Sequence, residues 1–266
     1  MKGKFSGYLL VSDMDATLLT SKHKISEGNR NAVDYFISQG GQFTVATGRM
    51  SKGVREHLGN ISINAPAILH NGAQIYDFES EKSLSEKFIE EERKGIIKRV
   101  YEDMPELGLE IYSNETIYVY RECEETARFK NRKYTDVVYS LPDEVWEQPW
   151  IKYLLIGDKK QLDRYEPIYR RDYDSGYAVR SGKKYLDIVS GEASKGIALT
   201  ELRRITGATK VIAVGDNMND ISMLQAADVS FAVKNAEKSV KQIADFIAPS
   251  NNDDAIACII DKLENK

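Results

Sequence analysis

Short apolar runs alternate with helical patterns at both ends of the chain. Tyr8-Leu9-Leu10-Val11-Ser12 predicts a buried strand. Ser26 then offers an N-cap, with Val33, Phe36 and Ile37 at helical spacing and Gly40-Gly41 as the stop. Phe43-Thr44-Val45-Ala46 and Ala67-Ile68-Leu69 predict the next two strands, with a short helix around Arg55 between them. The same rhythm returns late in the chain. Leu186-Asp187-Ile188-Val189 predicts a strand, and Ser194 to Ile205 a helix with Ile197, Leu199, Leu202 and Ile205 turned inward. Val211 to Val214 is a further apolar strand, Met218 to Ala226 a helix, Val229 to Val233 a strand and Asp253 to Leu263 a closing helix. Strand and helix in alternation predict βαβ units, so the two ends together read as one Rossmann-like, doubly wound α/β domain with a parallel sheet.

Between residues 83 and 185 the texture changes. Of the 15 tyrosines 12 lie here, with both tryptophans, Trp146 and Trp150. Glu110-Ile111-Tyr112 and Thr116-Ile117-Tyr118-Val119-Tyr120 alternate as half-buried strands do, beside a helical pattern from Ile89 to Tyr101. This predicts a separate α+β insert, leaving 1–82 and 186–266 for the first domain. Sheet packing accounts for most of the tyrosines.

Composition narrows the function classes. The 266 residues are 42% hydrophobic and 29% charged, with a formal net charge of −4. A mildly acidic chain has no basic footprint for a nucleic-acid backbone. No run of about 18 apolar residues could cross a bilayer, and Leu9-Leu10-Val11 is too short for the core of a signal peptide. Cys123 and Cys258 lie far apart and outside any CxxC, which fits two packing thiols in a reduced, cytoplasmic setting.

The chemistry concentrates at strand ends. Asp13-Met14-Asp15-Ala16-Thr17 follows the first strand directly, where an open α/β sheet binds ligands. In an extended chain Asp13 and Asp15 point to one side. Two carboxylates held together repel unless a cation intervenes, and oxygen-only ligands suit Mg2+; the alternative is an acidic turn that merely ends a strand. Gly215-Asp216-Asn217-Met218-Asn219-Asp220 follows the Val211 to Val214 strand and offers a second set of oxygen ligands, or simply a turn capping a helix. Thr47-Gly48-Arg49 ends another strand, with a hydroxyl and a glycine that lets an anion approach the backbone. Ser194-Lys195-Gly196 opens a helix and brings a positive charge. Neither GxxxxGK[ST] nor GxGxxG occurs, so neither a P-loop nor a dinucleotide site is indicated.

With these residues the chain resembles the haloacid dehalogenase superfamily, in its Cof-type subclass of phosphatases. All four family motifs stand in order: Asp13-x-Asp15-x-Thr17, Thr47 within Ala-Thr-Gly-Arg, Lys195, and Gly215-Asp216-x-x-Asn219-Asp220. Asn71-Gly72-Ala73 and Asn235-Ala236 are also similar to this subclass. The resemblance implies the family's core fold, with residues 83–185 as the inserted substrate-selecting cap. It implies Asp13 as nucleophile and Asp15 as general acid and base. Mg2+ would be held by the Asp13 carboxylate, the Asp15 carbonyl and Asp216. Thr47, Gly48, Lys195 and Asn219 would grip the phosphoryl group, while Asp220 and Thr17 support from behind. The implied partner is a small phosphomonoester, with sugar phosphates the usual class. A phosphotransferase or mutase on the same chemistry, and a non-catalytic protein that binds a phosphorylated ligand, are the alternatives. The family usually has glycine where this chain has Ala16, which matters if the backbone there needs positive φ.

Overall fold

The computed structural model describes residues 3–59, 61–130, 136–174 and 178–265. The chain divides into two compact units, Met1–Ser85 with Ser194–Lys266, and Glu86–Ala193.

The first unit is built on a parallel sheet whose strands run Phe246–Ala248, Val229–Val233, Lys210–Gly215, Tyr8–Ser12, Gln42–Val45 across its width. Leu9, Leu10, Val11 and Val211 to Val214 are wholly buried, as strands covered on both faces must be. From Tyr8–Ser12 the chain continues to the neighbour on one side, whereas Lys210–Gly215 lies on the other side and leads outward in the opposite direction. Strand order therefore reverses between these two central strands, and their carboxyl ends form the crevice where such sheets bind ligands. Ala67–Leu69 touches the parallel sheet through one bridge, Ala46 to Ile68, and pairs antiparallel with Gln74–Asp77. The parallel bridge closes the strand–helix–strand unit expected there, and the strand also opens a small three-stranded sheet with Gln74–Asp77 and Lys82–Glu86.

Ser26 caps the helix Glu27–Ser38 by accepting from the Asn29 N–H, and Ser194 caps Lys195–Thr206 through the Ile197 N–H. The buried stripe of the latter is Lys195, Ala198, Leu199 and Leu202. Ile197 and Ile205, expected inward, are 47% and 44% exposed. At 100° per residue Ile197 falls on the side opposite that stripe and Ile205 falls outside it. The helix Lys238–Ile243 and the edge strand Phe246–Ala248 were not anticipated.

In the second unit a six-stranded sheet runs Ala178–Arg180, Tyr185–Val189, Lys152–Ile156, Gly108–Ser113, Thr116–Arg121, Asp136–Val138. The strand expected at 186–189 in the first domain belongs here, antiparallel to both Lys152–Ile156 and Ala178–Arg180. An apolar run predicts a strand but not its partners, so the passage back to the first unit falls at Ser194 instead of residue 186. On one sheet face Leu109, Ile111, Tyr153, Leu155, Leu186 and Ile188 pack with Ile97, Val100, Leu162 and Tyr165 of the helices Ile96–Asp103 and Lys159–Asp172. The Ile89 to Tyr101 helical pattern is broken at Gly95 into Glu91–Lys94 and Ile96–Asp103. The Tyr153 and Tyr169 hydroxyls bond each other in the core at 2.7 Å, which bears out packing as the role of these two tyrosines; Tyr134 and Tyr177 lie outside the described residues. Cys123 packs against Gly108, but Cys258 is exposed rather than packed.

Candidate active site

Asp13 continues the Tyr8–Ser12 strand by one residue and donates its N–H to the Val214 carbonyl at 2.9 Å. The neighbouring strand ends at Gly215, so Asp13 and Asp216 emerge side by side. Asp13, Asp216 and Asp220 each offer a carboxylate oxygen within 4.8 Å of the others. Lys195, wholly buried at the start of its helix, donates to Asp13 Oδ1 and Asp220 Oδ1, both at 2.6 Å. Asp220 Oδ2 accepts from the Asp216 and Asn217 N–H groups, which fixes the turn. Thr17 Oγ1 donates to Asp216 Oδ1 at 2.9 Å. One ammonium therefore faces three carboxylates.

Burial pushes the Asp13 carboxyl well up, against the Lys195 charge and with the help of Asp220, Asp216 and Asp15. Asp216 is pushed up to about 7 by burial first and then by Asp220. Burial pulls Lys195 down, but Asp13 and Asp220 outweigh it and hold the ammonium charged. The uncompensated negative charge and the all-oxygen donor set fit a hard divalent cation such as Mg2+. Asp13 and Asp216 are the carboxylates best placed to hold it, since Asp220 is already bonded through both oxygens.

Asp15 does not join this cluster. The extended run stops at Asp13, and the chain turns through Met14–Leu18 with Ala16 at φ 60°. The Asp15 carboxylate, about half exposed, takes a two-pronged ion pair from Arg49 with both distances 2.7 Å. Burial alone pushes its carboxyl up, yet the Arg49 hydrogen bonds and charge prevail and hold it below the usual range. Ala16 stands in the left-handed region at the position where glycine was expected. Its carbonyl is held by Asn235 Nδ2 at 2.8 Å, and Asn235 Oδ1 in turn accepts from the Asn251 N–H.

Thr47 and Gly48 come together with the loop His70-Asn71-Gly72. The Asn71 N–H donates to the Thr47 carbonyl, and Asn219 Nδ2 donates to Asn71 Oδ1, both at 3.0 Å. Gly72 has φ 101°, and a Cβ there would lie 2.2 Å from the Ser194 carbonyl oxygen, so only glycine lets this loop meet the start of the Lys195 helix. Sequence reasoning marked Arg49 and Asn71 as parts of motifs without giving either a role. Nothing in their spacing shows which way their side chains turn.

The chain matches known proteins over nearly its whole length. A model of the haloacid dehalogenase-like hydrolases matches residues 10–260. The pyridoxal phosphate phosphatase YbhA of Escherichia coli (strain K12) is 28% identical, over 95% of this chain and 97% of its own. The 5-amino-6-(5-phospho-D-ribitylamino)uracil phosphatase YwtE of Bacillus subtilis (strain 168) is 26% identical, over 96% and 97%. A Thermotoga maritima protein solved by X-ray crystallography superposes with a TM-score of 0.78 at 28% identity, over 96% of each chain. The chain belongs to the haloacid dehalogenase-like hydrolases, as an enzyme of their Cof-type phosphatase subclass.

Proposed function

We propose that this protein hydrolyses phosphomonoesters of small metabolites, sugar and polyol phosphates foremost, through a phosphoryl group carried on Asp13. The observation that carries the reading is the buried Asp13 carboxylate, held by Lys195 at 2.6 Å within a cluster of three aspartates at the point where strand order reverses. An aspartate oxygen attacks phosphorus, the O–P bond forms and the ester O–P bond breaks, giving an aspartyl-phosphate and an alcohol. Asp15 gives the alcohol its proton and afterwards takes one from the water that hydrolyses the intermediate. Its pairing with Arg49 favours the ionised form, so donation requires that it first take up a proton and leave that partner. Lys195, Thr47 and Asn219 bind phosphoryl oxygens, and Gly48 lets them come close. Mg2+, held by Asp13, Asp216 and the Asp15 carbonyl, supplies positive charge that reduces the repulsion between an anionic nucleophile and an anionic ester.

The substrate class draws support from the phosphorylated ribityl and pyridoxal compounds that YwtE and YbhA are named for. We assign selection of the leaving group to the unit Glu86–Ala193, and the cytoplasm as the setting in which Cys123 and Cys258 stay reduced. The test is phosphate release from a panel of sugar phosphates, nucleotides and an aryl phosphate, with Mg2+ and with chelator. Release that needs the metal and favours sugar or polyol phosphates is expected. Absence of release from every compound would overturn the reading.

A further inference from the structure

His70, Asn71 and Gly72 have φ values of 50°, 57° and 101° in succession, two of them on residues with a Cβ and both buried. Such strain persists only where the surroundings impose it, and it gathers at ligand sites. Here it holds the Asn71 side chain, 1% exposed, against Gly48. The Asn71 amide has its oxygen satisfied by Asn219 Nδ2, while its nitrogen is buried without a partner. Asn219 Oδ1 is likewise buried and unpartnered. Exchanging the nitrogen and oxygen of both amides does not remove the deficit, because one donor and one acceptor are left over either way. A buried amide group without a partner costs about 1–3 kcal/mol. The donor of the pair, Asn71 Nδ2, stands next to the glycine of the proposed phosphoryl site and points to a ligand that accepts its hydrogen bond. A Cβ at Gly48 would stand 3.1 Å from Asn71 Nδ2, so the glycine keeps that flank of the amide clear.

We propose that Asn71 is a phosphoryl-binding residue, whose Nδ2 donates to an oxygen of the substrate's phosphoryl group while Asn219 and the strained loop hold it in place. This rests on the phosphatase reading above and adds to it a donor from outside the four motifs. The nitrogen has almost no exposed surface, so most of its desolvation cost is already incurred. A phosphoryl oxygen that reaches it gains a hydrogen bond that needs no reorganisation of solvent.

The deciding variants are Asn71→Asp and Asn71→Gly, since aspartate and glycine both tolerate positive φ and keep the loop. Aspartate still accepts from Asn219 Nδ2 but has no N–H to give; glycine removes the side chain without adding charge. Binding of inorganic phosphate is measured by calorimetry in the presence of Mg2+, alongside kcat and KM for an aryl phosphate and the melting temperature. Both variants are expected to melt within a few degrees of wild type, to bind phosphate at least about tenfold more weakly, and to lose about 10²-fold in kcat/KM. Wild-type affinity and turnover in Asn71→Gly would overturn the inference and leave the phosphatase reading intact, with any loss in Asn71→Asp then due to charge alone. Phosphate binding by wild type without turnover of any ester would overturn the phosphatase reading, and the calorimetry alone would then decide for or against Asn71. A wild type that neither binds phosphate nor hydrolyses an ester would overturn both.

Discussion

Each unit of this chain buries a cluster of charges, and the two are balanced differently. In Glu86–Ala193 the cluster lies on the sheet face away from the helices. Glu110 Oε2 accepts from Arg128 at 2.6 Å and from the Tyr112 hydroxyl at 2.9 Å, and Lys152 donates to Asp187 at 2.8 Å. Two acids face two bases, all carried by regular strands or a short helical turn. In the other unit three aspartates face Lys195, on loops that leave the carboxyl ends of adjacent parallel strands. A balanced cluster repays much of its desolvation internally, whereas an unbalanced one is a standing cost that a cation or substrate relieves. Burial of charge alone does not mark a site; surplus of one sign at a strand-order reversal does.

The comparison breaks most sharply on the lysine. Lys195→Met leaves Asp13 and Asp220 without their shared cation, and is expected to cost about 3–5 kcal/mol and to lower kcat/KM by at least about 10²-fold. Arg128→Met strands Glu110 in the other unit and is expected to cost about 3 kcal/mol with little change in turnover of a small aryl phosphate. Denaturant melts paired with kinetics read both. Equal losses of activity would erase the distinction drawn here.

A second expectation concerns the surplus charge. Mg2+ at about 100 times its Kd should stabilise the wild type by about 2.7 kcal/mol, seen as a rise of several degrees in melting temperature. Asp216→Asn should melt higher than wild type in chelator, because one crowded carboxylate is gone, and should lose most of the Mg2+ response. A full Mg2+ response in that variant would move the cation elsewhere.

The smallest effect is at Ala16, at φ 60°. Ala16→Gly relieves a left-handed alanine and is expected to raise stability by about 1 kcal/mol or less, the greater freedom of glycine in the unfolded chain offsetting part of the gain. Unchanged or lower stability in a thermal melt would show that the Asn235 bond to the Ala16 carbonyl already offsets the strain.

Much of the site was legible because its residues sit where apolar strands stop. Asp13, Thr47 and Asp216 follow such runs directly, and Lys195 follows a capping serine, so position along the chain sufficed to find them. What was not legible is orientation. Spacing aims Asp15 beside Asp13, yet a turn at Ala16 and the guanidinium of Arg49 take its carboxylate out of the cluster. The unpartnered amide nitrogen of Asn71 depends on three successive positive φ values that no hydrophobic pattern encodes. The same limit governs the fold. Tyr185–Val189 is a largely apolar run fit for either sheet, and its antiparallel pairing with Lys152–Ile156 and Ala178–Arg180 assigns it. Phe246–Ala248 covers only three residues, too few to show the alternation of a strand.

The central claim is that Asp13 carries the phosphoryl group. Acid quenching of the wild type during turnover of an aryl phosphate with Mg2+, followed by mass spectrometry of the peptide containing Asp13, tests it most directly, with Asp13→Asn alongside. The account predicts one added phosphoryl group on Asp13, labile to hydroxylamine and absent with chelator, and turnover by Asp13→Asn reduced by about 10⁴-fold or more at an undiminished melting temperature. A phosphoryl group on another side chain, or turnover retained by Asp13→Asn, would contradict it.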